Sequence, residues 1–286
     1  MTKEASGESI RRKSLEATPI AQEIVAKSQF EKSLLSKEGH SACDIIALTD
    51  PHSPMSDQYR LLFQKVDRIC QAAGKTIIAI TSSIKGEGKT TTASNLAVVA
   101  ARDFKKGCLL IDADFKNPSV GKAFSLPENL GLVDIMMKRC TLESAFVQGP
   151  SERLTILPVG RVGGEQERTL NLDGLKEVIS KVRGQYYNIL WEESQGDFFQ
   201  MSHQDIGMYD YVFIDTPPLV PVFDMNLISE VVDSILFVVR AGKTPKHIIN
   251  KAVKLLDKSK VIGSVFNGAS IPWPTRSYQY GYYAYY

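Results

Sequence analysis

Residues 83–90, SIKGEGKT, have the spacing of a phosphate-binding loop, GxxxxGK[ST], with Ser83 at the first glycine position. Gly86 and Gly88 would let backbone N–H groups converge on phosphate oxygens at the positive end of a following helix, with Glu87 and Thr91 in the same cradle. Lys89 would bridge the β and γ phosphates of ATP, and the Thr90 hydroxyl would face Mg²⁺. Two acidic stretches extend this chemistry: LLIDADFKNP carries Asp112 and Asp114, and VFIDTPP carries Asp215. Carboxylates at these positions would hold Mg²⁺ or its waters, and one would take a proton from an attacking hydroxyl. A single aspartate at a strand end is commonly only a cap. Three of them beside a phosphate loop point to a nucleotide and metal site.

The chain ends in SYQYGYYAYY, which places Tyr278, Tyr280, Tyr282, Tyr283, Tyr285 and Tyr286 at a terminus. An aromatic end is by itself only a sticky segment. Beside a nucleotide site, closely spaced phenols become candidate phosphoacceptors, because one of them can reach a neighbour's site from many chain conformations.

The elements that must position these residues are short apolar strands alternating with helices. Strands are expected at TIIAITSS, GCLLIDAD, LTILPVG, YDYVFIDTPP, SILFVVRA and VIGSVFNG, with helices at KGEGKTTTASNLAVVAARD, LDGLKEVISKVRG and PKHIINKAVKLLDK. This alternation predicts an α/β fold, a parallel sheet with helices on both faces, with the carboxylates at the strand ends where ligands collect. QYRLLFQKVDRICQAA reads as a preceding helix with Leu61, Leu62, Val66 and Ile69 near one face. Residues 185–208 interrupt the scheme with a polar and aromatic stretch that reads as a docking element or a surface loop. Three parts result: a flexible or helical extension over 1–48, a nucleotide-binding domain over 49–276 and the tyrosine-rich tail over 277–286.

At 286 residues and 43% hydrophobic content, the chain can bury a substantial core. Its net charge of +2 provides no global field for nucleic acid or an anionic membrane. Cys43, Cys70, Cys108 and Cys140 form no CxxC pair, which disfavours a zinc site or disulfide framework and suits a reducing cytoplasm. No apolar run approaches the roughly 20 residues of a membrane span, so a soluble, cytoplasmic protein is expected.

GEGKTTTASNLA, LLIDADFKNPSV, YDYVFIDTPP and the tyrosine tail together resemble the bacterial tyrosine autokinases of exopolysaccharide assembly, whose P-loop NTPase-like domain carries Walker A, A′ and B motifs. The resemblance spans about residues 50–286 and implies an ATP- and Mg²⁺-dependent kinase that phosphorylates its tail cluster in trans and regulates polysaccharide polymerisation and export. It implies that Lys89 and Thr90 bind nucleotide and metal, that Asp112 and Asp114 serve the metal and the incoming phenol, and that Asp215 supports the metal through water. Asn267 stands where the family contacts adenine, and Lys116 replaces an arginine usual after the second aspartate of the A′ motif. DQYRLLF resembles the family's ExxRxxR oligomerisation motif with Asp57 for glutamate, Arg60 retained and Phe63 for the second arginine, which implies a homo-oligomer. A separate transmembrane chain-length determinant protein is implied as activator, recruiting the kinase to the inner face of the membrane. Two alternatives stay open. A regulatory ATPase of the MinD/ParA group would carry a lysine where this loop has Ile84, and a nucleotide-binding scaffold would need no catalysis.

Overall fold

Each apolar run becomes a strand whose successive side chains enter opposite layers. The structure is a computed structural model that describes residues 45–127, 130–164, 171–194, 209–220 and 224–269, with the backbone alone described at 184–194, 224 and 226. The strands are β1 (Ile77–Ser82), β2 (Cys108–Asp112), β3 (Val147–Gln148), β4 (Leu154–Leu157), β5 (Tyr211–Asp215), β6 (Ser234–Arg240) and β7 (Val261–Asn267). They form one sheet in the order β3-β4-β2-β5-β1-β6-β7. All neighbours are parallel except the two-residue β3, which pairs antiparallel with β4 at the edge. The expected parallel sheet is therefore present, with one short antiparallel addition. Register places Asp112 directly beside Asp215 on adjacent strands, so both acidic motifs end at the same level.

The helices are α1 (Ile46–Thr49), α2 (Pro54–Ala73), α3 (Lys89–Arg102), α4 (Val120–Ala123), α5 (Leu132–Met136), α6 (Leu142–Ala145), α7 (Leu172–Ser194), α8 (Asp224–Val231) and α9 (Lys246–Leu255). One core layer packs Ile77, Ala79, Leu109 and Ile111 against Leu175, Val178, Ile179 and Ile228. The other packs Ile78, Ile80, Leu110 and Phe213 against Leu96, Val99 and Phe63. Odd and even residues of one strand thus feed different layers, as the period of two requires. Helix α3 is buried continuously from Thr92 to Ala101 because α2 covers it from outside.

Helix α2 begins where Ser53 accepts a hydrogen bond from the Ser56 N–H and Pro54 occupies the first turn, and it ends at Gly74 in the left-handed region. Its inward stripe differs from the expected one. Tyr59, Phe63, Val66 and Cys70 are buried, whereas Ile69 is exposed and Leu61 and Leu62 are only half-buried. A helix face is set by which spacing meets the neighbour, and here the i, i+4, i+7, i+11 set wins because the aromatic Phe63 lies between Phe104 and Tyr211, with ring centroids 4.8 and 5.5 Å away. Helix α7 also exceeds its expected length, continuing to Ser194 through the first half of the 185–208 stretch. Residues 195–208, the 1–44 part of the N-terminal extension, and the tyrosine tail all lie outside the described residues.

Candidate active site

Strand β1 runs into the phosphate loop, and helix α3 starts at Lys89 with Gly88 as its cap. Gly86 and Gly88 have φ values of 82° and 96°, a region that side chains with a Cβ rarely enter. Gly88 is doubly required: a Cβ there would lie 2.0 Å from the Asn267 amide nitrogen. That amide donates instead to the Glu87 carbonyl at 2.9 Å, so Asn267, at the end of β7, braces the loop backbone. The loop therefore presents the amides of a helix N-terminus at the carboxyl edge of the sheet, the geometry that receives phosphate.

The three aspartates arrive at this edge in different roles. Asp112 is fully buried and accepts three backbone N–H groups: Asp114 on Oδ1 at 3.1 Å, with Ser119 and Val120 on Oδ2, each at 3.0 Å. Asp215 is also fully buried, and its Oδ2 accepts the Thr90 hydroxyl at 2.6 Å. Asp114 is 5% exposed, so it opens slightly toward the mouth, and its Oδ2 lies 4.0 Å from Lys89 Nζ. The structure thus brings together Lys89, Thr90, Asp112, Asp114 and Asp215, residues drawn from three separate segments of sequence.

The electrostatics are dominated by the burial of neighbouring carboxyls. Burial pushes the Asp112 carboxyl up to about 7 despite its three N–H donors, and the neighbouring Asp114 charge adds to the rise. Asp215 is raised as well, first by burial and then by Asp112, with Lys89 and the Thr90 hydroxyl opposing. Two carboxylates side by side in a dry site cannot both ionise cheaply. Moreover, Asp215 Oδ1 has no hydrogen-bond partner among the described residues. Hard oxygen donors with one orphaned lone pair fit Mg²⁺. No group of three or more ligand side chains among the described residues would hold a metal alone. Mg²⁺ keeps waters and takes phosphate oxygens alongside one or two carboxylates.

Several contacts escaped the sequence reading. Ser119 Oγ lies 2.9 Å from Thr90 Oγ1, so a second hydroxyl enters the metal side of the site. Lys85 reaches from the loop to the Asn117 side-chain carbonyl, which links the phosphate loop to the segment after β2. NPSV directly follows the acidic motif, and its serine spacing was the available signal for Ser119. Lys116 is exposed on the same segment. The Glu87 carboxylate points into the protein and binds backbone and side-chain donors there. Thr91 is half-buried, and its carbonyl accepts from Asn95 within α3. Tyr278, Tyr280, Tyr282, Tyr283, Tyr285 and Tyr286 lie outside the described residues.

A parallel α/β sheet with this loop and these paired carboxylates defines a P-loop nucleotide-binding protein. The BceF tyrosine kinase domain superposes with a TM-score of 0.61 at 24% identity, covering 87% of this chain and 90% of that one. The septum site-determining protein MinD from Pyrococcus horikoshii OT3, complexed with Mg-ADP, gives 0.52 at 24% identity over 70% and 75% of the two chains. At such identities both support the fold alone. Sequence relatives go further. A family described as an AAA domain matches residues 75–260. Tyrosine-protein kinase YwqD of Bacillus subtilis (strain 168) is 33% identical over 247 residues, covering 84% of this chain and 91% of that protein. Succinoglycan biosynthesis transport protein ExoP of Rhizobium meliloti (strain 1021) is 26% identical over 78% of this chain but only 26% of its own length. The chain belongs to this AAA-domain family and, within it, to the bacterial tyrosine-protein kinases.

Proposed function

We propose that the chain transfers the γ-phosphoryl group of ATP to Tyr278, Tyr280, Tyr282, Tyr283, Tyr285 and Tyr286 of a neighbouring copy, and so regulates exopolysaccharide polymerisation and export. The observation that carries this reading is the convergence of Lys89, Thr90 and three aspartates at the mouth of one phosphate loop, in a chain whose end supplies six phenols. Loop amides and Lys89 would hold the triphosphate in line with the incoming tyrosine oxygen. Asp112, Thr90 and Asp215 would hold Mg²⁺, which when bound supplies countercharge to the phosphate oxygens. A phenol keeps its proton until about pH 10, so a base must receive it as transfer proceeds. Asp114 fits that role better than Asp112, since three backbone donors occupy the fully buried Asp112 whereas Asp114 keeps some exposure and its Oδ2 lies 4.0 Å from Lys89 Nζ.

Among the described residues no helix is long and apolar enough to cross a membrane. A relative named as a transport protein is matched over only a quarter of its length. Extending the family resemblance, the domain of residues 49–276 would work at the cytoplasmic face of the membrane with a separate transmembrane chain-length determinant protein as activator.

Incubating the full chain with ATP and Mg²⁺ and mapping phosphate by mass spectrometry tests the activity. The trans route is tested by mixing a Lys89→Met protein, which keeps its tail, with an active protein truncated after Arg276. Phosphate should appear on the tail of the variant. No transfer between folded, associating partners would reject the trans route, and nucleotide turnover without any phosphotyrosine would favour a regulatory ATPase.

A further inference from the structure

Glu87 lies between the two glycines of the phosphate loop, fully buried, and three donors converge on its two oxygens. The Ile84 N–H donates to Oε2 at 2.8 Å. The Arg240 N–H donates to Oε1 at 3.2 Å, and the Thr244 hydroxyl donates to the same oxygen. Ile84 belongs to the loop, whereas Arg240 ends β6 and Thr244 lies in the turn before α9, more than 150 residues away in sequence. That turn also reaches the loop's outer carbonyl: the Arg240 guanidinium and Lys243 Nζ approach Gly86 O at 3.3 and 3.5 Å.

A carboxylate facing a triphosphate would repel it, so direct contact is the wrong use for this group. Its oxygens are in any case committed to the protein. Two of the donors are backbone N–H groups that can only donate, one to each oxygen, and a carboxylate is the side chain of this size that accepts at both. A carboxamide would turn an NH₂ toward either Ile84 N–H or Arg240 N–H.

We infer that Glu87 is a positioning residue: its carboxylate ties the phosphate loop to the β6–α9 turn and so fixes the amides that receive the nucleotide phosphates. The inference rests on the reading that this loop binds ATP. Those amides contact phosphate in the ground state and the transition state alike, so loosening them acts on binding more than on chemistry.

The test compares the full chain with Glu87→Gln and Thr244→Val, using the fluorescent N-methylanthraniloyl derivative of ATP with Mg²⁺ for affinity and phosphotyrosine formation for KM and kcat. Glu87→Gln should weaken nucleotide binding about tenfold, as loss of a buried charged acceptor does. KM should rise in parallel, with kcat changed by less than about threefold. Thr244→Val should give a smaller loss of the same kind. The double variant should lose less than the product of the two, because both remove one shared interaction. Unchanged affinity in folded Glu87→Gln, a fall in kcat at constant KM, or a fully multiplicative double variant would overturn the inference. If Glu87→Gln does not fold, Thr244→Val decides alone, and unchanged affinity there has the same force. Nucleotide affinity needs no acceptor tyrosine. A chain that binds the probe as expected yet never transfers phosphate would therefore refute the kinase reading and leave Glu87's role standing.

Discussion

The two ends of the sheet treat aspartate in opposite ways. Asp233, just before β6, accepts the Ile77 and Thr76 N–H groups at 2.9 and 3.1 Å and the Arg183 guanidinium at 2.6 Å. Burial pushes its carboxyl up, but these donors together outweigh burial and hold it below the usual range. At the other end, Asp112 and Asp215 lie side by side, with no guanidinium bonded to either among the described residues, and both are pushed up. The first arrangement is complete within the chain. In the second, Lys89 and the hydrogen-bond donors do not offset burial, and that imbalance is the mark of a ligand-binding carboxylate rather than a structural one.

The sharpest way to break this contrast is to remove Lys89, the cation whose Nζ lies 4.0 Å from Asp114. Lys89→Met should reduce tyrosine phosphorylation by at least about 10²–10³-fold, the loss typical of one preorganised charge at a developing anion. Phosphotyrosine is the measurement, in protein made without any other tyrosine kinase. Thermal unfolding checks that the variant, which loses a buried partner of Asp114, is still folded. Persistent phosphotyrosine would place the chemistry elsewhere.

Next in size is a pair of substitutions of opposite sign. Asp215→Asn replaces a carboxyl that burial and Asp112 push up and whose Oδ1 has no partner among the described residues, so it should stabilise the nucleotide-free protein by about 1–3 kcal/mol while abolishing Mg²⁺-dependent nucleotide affinity. Asp233→Asn should destabilise by about 1 kcal/mol, discounted because Arg183 is 40% exposed, and leave nucleotide affinity intact. Urea unfolding of both variants measures this, and equal signs would erase the distinction between the two ends.

How much of this was legible in the sequence follows the range of each interaction. The phosphate loop, the strand ends and the six main strands could be read because glycine spacing and apolar runs are local. Ser119 could have been suspected, since it is seven residues from Asp112 and reaches it through a backbone bond. Glu87's partners could not, because Arg240 and Thr244 meet it only after β6 is laid beside β1. The stripe of α2 was misassigned for a similar reason. Leu61, Leu62 and Ile69 look like a hydrophobic face until Phe104 and Tyr211, from elsewhere in the chain, make Phe63 the residue to bury. Phe63 also shows why the second arginine of the ExxRxxR pattern has no place here: its position is 0% exposed.

A pH profile gives a gentler version of the same contrast. For Asp112, whose folded value is about 7, stability is fully present below the unfolded carboxyl value of about 3.9 and is lost as pH rises toward 7. Asp233 has the opposite sign: its contribution is present above the unfolded value and is lost as pH falls through its lowered folded one. Nucleotide-free protein should therefore be less stable near about pH 8 than near about pH 5 where Asp112 dominates, and Asp112→Asn should flatten that slope. Saturating Mg²⁺ and ADP should flatten it too, because the added positive charge favours the ionised pair. Denaturant midpoints at both pH values measure the effect, and an unchanged slope in Asp112→Asn would assign the titration to another group.

The smallest effect is expected where charges are hydrated and already paired. Arg60 donates from Nε to Asp103 at 2.8 Å, from Nη1 to Asp57 at 2.6 Å and from Nη2 to the Pro51 carbonyl at 2.7 Å. All three nitrogens thus serve its own chain, fastening α2 to the end of α3. Asp57 is 61% exposed and water competes for that pair, whereas Asp103 is only 19% exposed, so Arg60→Ala should cost about 1 kcal/mol in unfolding. The same geometry bears on assembly. Three of the five guanidinium N–H groups are committed within the chain, which orients the head and leaves one N–H on each terminal nitrogen. If those two stay with water, light scattering gives the same mass for Arg60→Ala and the unaltered protein, with ATP and Mg²⁺ held constant. A fall in mass with an unchanged unfolding midpoint would mean that Arg60 also serves a partner on the next subunit. In that case this arginine, unlike Arg183 beside Asp233, joins two chains rather than two helices of one.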